Sequence, residues 1–484
     1  MFLRAALSLL STEAAGLAIF TLLISAPERF GWPARLGLGF GLGLIGTSLG
    51  LFVVSLCGLP INAWMVVGSG VCSITAIVWQ RDKLFRPVNL PPQATSFSKP
   101  FSKILDVTFL VFLSLAVLTV SAVSLSEPLV EWDVLSIYAF KAKVLLHSPI
   151  KYSPYFHDVT LNYSHLGYPL LWPLLLSWVW AAAAETDVLV IKVITPAMVC
   201  AFASSLYGLL RWWHGRTETL LFTAILLSLP MLSSELVRLL ADAPLGYFIL
   251  VSFACTYRWL ESGETDDLRL ASFFATGLIF TKSEGLGWFA ILIAITCLGA
   301  LAKRERQRWP GLAALVLTPL FLNSLWFWFA RQIPKAPDEH AARISLHYLI
   351  EYRARIPEVI THSLAYFTDF EDWLLWWPLL FLVLIWTARQ WVRTPLALLV
   401  LALALGLSMY GFVFVVAAWD SVELMNSSAN RLLVHLAPLS VFIVAELRLF
   451  SGKVTCQLPQ VFGARHRREH HRPRRGCKLA RLIP

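Results

Sequence analysis

Charged residues are scarce here. Asp, Glu, Lys and Arg make up 14% of 484 residues, where a soluble domain carries about 25%. That deficit, beside 57% hydrophobic residues, excludes an ordinary water-soluble globule. Cysteines paired at metal-ligand spacing are also lacking: Cys57, Cys72, Cys200, Cys255, Cys297, Cys456 and Cys477 form no such pair, and no structural disulfide is expected. No nucleotide-binding glycine loop occurs. The first 26 residues lack a strong basic start and a small-residue cleavage site, so they are expected to be retained as a first helix.

What fills the chain instead is apolar runs long enough to cross a hydrocarbon core about 30 Å thick, which takes about 20 helical residues. In lipid the backbone must pair internally, so each run should be a helix. The runs lie near 8–26, 36–56, 60–79, 104–125, 169–184, 188–210, 217–234, 243–260, 269–281, 285–301, 311–330, 373–388, 394–418 and 432–450. The expected fold is an all-α polytopic membrane protein of about 13–14 transmembrane helices, with two long outer-face loops, 126–168 and 331–372. Residues 1–103 read as N-terminal helices with a basic, proline-rich cytoplasmic linker at 80–103, residues 104–450 as the core, and 451–484 as a tail. Twenty Trp and 31 Phe suit many interfacial helix ends. The run at 169–184 is short and holds Pro169 and Pro173, which suggests a re-entrant segment or one lying partly along the outer face.

The net charge is +10, of which residues 451–484 supply +8. A basic tail beside a final membrane helix marks the cytoplasmic side and touches anionic lipid; it is no nucleic-acid footprint. Lys303, Arg304, Arg306 and Arg308 belong on that same side. Counting outward places the two long loops, Asp242 and the turn at 282–284 together on the exterior, for a multi-pass protein whose site faces outward.

Five polar groups converge there. Glu131, Trp132 and Asp133 follow the 104–125 run, and Tyr138 and Lys141 lie in a stretch whose 3–4 residue rhythm suits an amphipathic surface helix. Arg238 and Asp242 join two apolar runs almost without a loop; Asp242 there is either a helix cap or a site residue. Lys282 and Glu284 sit between long apolar runs, as a tight ion-paired turn or as groups facing a shared cavity. Arg431, with His435 one turn on, is either a snorkelling side chain or a phosphate clamp. His165 and Tyr168 precede the proline-bearing segment, as interfacial residues or as part of the same site. Ionisable groups in or near lipid are costly, so they usually face a partner or a cavity. One carboxylate would take a proton from an acceptor hydroxyl. The cations, or a divalent metal such as Mg or Mn held by Asp133 and Asp242, would stabilise a leaving phosphate.

Three stretches, EWDVLSIYAFKAKVL with the later SHLGYPLLWPLL, then RLLADAPLGYF, then FTKSEGLGWF, give the chain a resemblance to the membrane glycosyltransferases that use polyprenyl-phosphate-linked donors (the GT-C fold). These include protein mannosyltransferases, aminoarabinose transferases and their bacterial relatives; SANRLLVHLAP lends weaker support, and the resemblance spans roughly 100–450. It implies Asp133, or else Glu131, as catalytic base or metal ligand, with Asp242 and Glu284 as further acidic site residues. The first loop departs from the family's paired acidic residues, showing Trp132-Asp133 instead. The implied activity is inverting transfer of a hexosyl or pentosyl group from a polyprenyl-phosphate donor to a lipid, glycan or protein acceptor. Two other classes compete: a transporter or flippase of lipid-linked intermediates, and a non-catalytic envelope assembly subunit. Transporters usually carry an internal repeat, and the two long loops do not sit at equivalent positions in two halves.

Overall fold

The computed structural model describes residues 1–89, 99–303, 308–334 and 343–449. Much of the linker at 80–103 and the whole of the tail at 451–484 fall outside the described residues. Those described form helices and turns with no strand, the architecture of an all-α polytopic membrane protein. Residues Met1–Leu449 pack as one unit.

Among the described residues seven helices are long and apolar enough to cross a membrane, or nine if two bent pairs each count as one span. This is fewer than the 13–14 read from the apolar runs. Three runs make shorter helices, Ala63–Trp79, Leu171–Ala183 and Trp376–Trp386, and the 243–260 run lies in Asp242–Ser262, which also carries Asp242 and Arg258. The bent pairs break at identifiable places. Arg216–Leu227 and Pro230–Arg238 meet at 61°, with Pro230 opening the second piece, where the ring denies the preceding residue a helical backbone. Trp309–Leu322 and Ser324–Ala330 meet at 48°, just beyond Pro319.

Phe2–Leu23 and Trp32–Leu56 cross closely because small residues meet at the crossing. A methyl group on Gly16 would stand 1.7 Å from the Gly39 carbonyl oxygen. This pair packs on Ile194–Leu210 and Leu171–Ala183, joining the N-terminal helices to the rest of the bundle. Leu171–Ala183 is buried at all thirteen positions, its tryptophans packed against protein. Asp242–Ser262 is a central post, buried from Asp242 through Leu260, clasped by Thr265–Thr281 and by Ser421–Glu446. By contrast, only 6% of the apolar stretch of Pro100–Ser126 is covered by protein, as suits a helix facing lipid.

The first long loop is mostly helical turns. A π-helical turn, Val134–Ala139, runs into the α-helix Phe140–His147. The extra residue per turn rotates the helix after it, so Lys141, expected on the polar face of a surface helix, is buried instead. In the second loop Ile356–Phe367 is helical and packs on Leu396–Val416 and Ser421–Glu446.

Candidate functional site

Chain topology brings four helix ends together. Asp133 stands at the start of the π-turn. Asp242 opens the central post just after Leu239, whose φ of 59° turns the chain sharply. Lys282 closes Thr265–Thr281, and Glu284 opens the next helix. That turn is tight: a methyl group on Gly285 would fall 1.7 Å from the Leu278 carbonyl oxygen. Arg431 and His435 lie one turn apart on Ser421–Glu446.

At the centre is Asp242, wholly buried. Its carboxylate does not cap its own helix, which sets the capping alternative aside. Oδ1 instead accepts from Lys282 Nζ at 2.8 Å and from His435 Nε2 at 3.0 Å. Oδ2 meets Arg431 Nη2 at 3.2 Å. Arg431 is held at its other nitrogen by Asp133, Nη1 to Oδ2 at 2.7 Å, so one guanidinium spans two carboxylates. Asp133 is therefore ion-paired, with an Arg431 that approaches from a distant helix and that sequence spacing does not reveal. Lys282 also reaches Glu284 Oε1 at 3.0 Å. The ion-paired turn is therefore present, and its lysine is shared with Asp242.

His435 is oriented from behind. Trp288 Nε1 donates to Tyr410 Oη at 2.7 Å, and Tyr410 Oη bonds His435 Nδ1. The ring is thus held at both nitrogens, Nδ1 by Tyr410 and Nε2 by Asp242. Neither aromatic stood out in the sequence, since each sits in an apolar run where an aromatic reads as packing.

The remaining candidates form a margin. Arg238 lies 3.2 Å from Glu131 Oε1 and 3.6 Å from Glu235 Oε1. Glu235, buried and with neither carboxylate oxygen hydrogen-bonded, was missed. Its one signal was an acid three residues before Arg238 inside a largely apolar stretch. Lys141 Nζ donates to the His165 carbonyl and lies 5.6 Å from the Tyr168 ring centre. That ring stacks on His165 at 4.4 Å. Tyr138 is buried, within electrostatic reach of Lys282 and Asp242. Trp132 stays apart, 56% exposed and tilted toward Tyr163.

Asp133 and Asp242 do not fit a resident divalent ion. Mg and Ca need several oxygens around them, whereas these two carboxylates already share a guanidinium. Among the described residues no group of three or more His, Cys, Asp or Glu is placed to hold a metal. Comparison with known protein families, with curated proteins and with solved structures gives no match.

Proposed function

We propose that this chain is an inverting glycosyltransferase that moves a sugar from a polyprenyl-phosphate donor to a lipid, polysaccharide or protein acceptor, at the exterior face of a bacterial inner membrane. The observation that carries this reading is Arg431 and its surroundings. The guanidinium bridges Asp133 and Asp242, its side chain is 21% exposed, and its Nε has no hydrogen-bond partner among the described residues. Next to it Leu432 and Leu433 line an apolar groove of about 340 Å³, walled by Ile360, Leu364 and Phe414. Arg431 is not in the groove's lining, which reaches the cluster through Tyr410, the partner of His435; in this reading the groove takes the isoprenoid and the guanidinium takes the phosphate of the donor.

In this reading the donor phosphate draws Arg431 away from Asp133. The acceptor hydroxyl oxygen attacks the anomeric carbon from the face opposite the phosphate. The carbon–oxygen bond to phosphate breaks, its electron pair stays on the phosphate, and the hydroxyl proton passes to the freed Asp133. Charge growing on the phosphate is met by Arg431, with Lys282 behind it. Asp242 is engaged by three cationic or N–H groups and serves as their anchor, and Glu284 holds the far side of Lys282.

The deciding experiment is transfer of radiolabelled sugar from synthetic hexosyl and pentosyl polyprenyl phosphates by the purified chain in a lipid bilayer. Folded protein that transfers from none of them removes the reading. A transport reading draws on one specific observation: the 61° break in a membrane-length helix pair with buried Glu235 on its second piece, since interrupted helices build many transporter sites. A flippase would move the intact lipid-linked sugar across vesicles without breaking the bond to phosphate. Sidedness is tested by cysteines placed at positions 340 and 305: an impermeant reagent should label the first from outside and not the second.

A further inference from the structure

A second cavity, of about 280 Å³, opens where the segment after the lipid-facing helix meets the short helix Pro230–Arg238. Glu127, Glu131, Lys192, Ser234, Val237 and Arg238 line it. No residue of the central cluster lines it, but two of its lining residues lie close to that cluster along the chain. Glu131 lies two residues before Asp133, and Arg238 four residues before Asp242. Glu235, on the same short helix, feels the charges of Asp242 and Arg431.

The lining holds hydrogen-bonding capacity that the protein does not use. Lys192 is buried and donates to the Glu127 carbonyl at 2.7 Å; an ammonium has two further N–H groups. Arg238 is held by ion pairs with Glu131 and Glu235, and among the described residues no hydrogen bond engages the Ser234 hydroxyl. Set against these donors are the carboxylates of Glu127 and Glu131. This mixture selects among ligands. A phosphate would face two carboxylates, and an ammonium would face Lys192 and Arg238. A sugar ring suits both, because each hydroxyl donates one hydrogen bond and accepts others. Val237 supplies an apolar patch for the ring's C–H face.

We infer that this cavity is a binding site for a neutral, hydroxyl-rich sugar ring, and that it seats the acceptor glycan of the transfer reaction. The first half stands by itself; the second rests on the transferase reading. The site places an acceptor on the side of the cluster bordered by Glu131 and Asp133, while the donor groove lies along Ser421–Glu446.

The test is calorimetric titration of the bilayer-embedded chain, free of sugar-based detergent, with methyl glycosides of neutral hexoses and, separately, with inorganic phosphate and ethanolamine. At least one glycoside should bind, and at least tenfold more weakly in both Ser234→Leu and Val237→Trp, which fill the cavity from two walls. An unchanged melting temperature in either variant shows that a loss is local. No glycoside binding, equal affinity in a folded variant, or binding of phosphate or ethanolamine in place of glycosides overturns the inference. Glycoside binding without donor turnover removes the transferase reading and the acceptor role but keeps the sugar site. Turnover that neither cavity-filling variant disturbs removes the acceptor role alone.

Discussion

At the end of the bundle holding Arg258 and His214, charges are fastened by backbone and aromatic rings as well as by opposite charges; at the end holding Asp242, charge is held mainly by charge. Arg258 Nε binds Asp267 at 2.9 Å, and its guanidinium lies over the rings of Phe30, Trp212 and Trp213. Asp266 accepts from the backbone N–H groups of Ser25 and Ala26, both at 2.9 Å. Arg35, wholly buried, donates to the carbonyls of Phe30, Pro27, Arg86 and Leu84. Such partners cannot be exchanged without unfolding a turn. Around Asp242, by contrast, Arg431 touches two carboxylates through side chains alone, and Glu284 Oε2 and Arg431 Nε have no hydrogen-bond partner among the described residues. The first arrangement locks helices together. The second can trade one partner for a ligand at little cost to the fold.

The sharpest break of that contrast is Asp242→Asn, because Asp242 belongs to both categories, buried anchor and site residue. Removing one member of a buried ion pair costs about 3–5 kcal/mol, and it also releases Lys282 and Arg431. The melting temperature should drop and turnover should vanish; a variant of unchanged stability would mean that the anchor role is wrong.

Asp133→Asn should separate the two effects. Asp133 is 30% exposed, so the melting temperature should barely move, while turnover falls roughly 10²–10⁴-fold, the usual worth of a general base. Asp133→Glu should recover only part, since a displacement of about 1 Å can cost about 10²-fold. Full turnover of the Asn variant with lipid-linked donor would move the base to Glu131 or Glu284.

A smaller change is expected from Arg431→Lys. Charge is kept but the fork that spans two partners is lost, so donor KM should rise about tenfold, with kcat less affected. Near wild-type KM would return Arg431 to the role of a snorkelling residue.

The mildest effect lies at the other end. His214 stands between Glu446 at 3.0 Å and Glu218 at 3.7 Å. Burial opposes its charge, but the Glu446 carboxylate and the bonds to Glu218 and Glu446 outweigh it and push its pKa up to about 9. A raised folded-state value means the stabilisation is complete below the ordinary value of 6.5 and is lost as pH rises through about 9. The melting temperature should therefore decline across that window, and His214→Gln should flatten the decline without altering turnover per folded molecule. An equal decline in the variant would place the pH dependence elsewhere.

Legibility in the sequence divides along the same line. Asp242, Lys282, Glu284, Arg431 and His435 stood out because each is an isolated polar group at or near the end of an apolar run, where its cost demands a partner. Their convergence was legible through the charge bias of the loops, though which cation meets which carboxylate was not. Tyr410 and Trp288 were invisible because their polar atoms matter only once Leu396–Val416 and Ser421–Glu446 are adjacent. Lys141 was assigned to the wrong face because a π-turn shifts the period on which such assignments rest. The all-helical membrane fold was plain from run lengths; the number of full-length helices was not, since prolines and short runs divide the chain in ways that hydropathy smooths over.

The central post has a consequence for biogenesis. Asp242–Ser262 is among neither the seven long apolar helices nor the two bent pairs, and it carries an acid at one end and Arg258 near the other. A charge near the middle of a membrane helix disfavours insertion by about 2.5–3.5 kcal/mol on translocon scales, less toward the ends. Its most buried segment is therefore poorly suited to entering lipid alone, and enters best together with Thr265–Thr281, whose Lys282 and Asp267 neutralise both of its charges. The ion pairs at the two ends of this hairpin then act before any substrate is met, as the condition under which its first helix can leave the insertion machinery and remain in the bilayer.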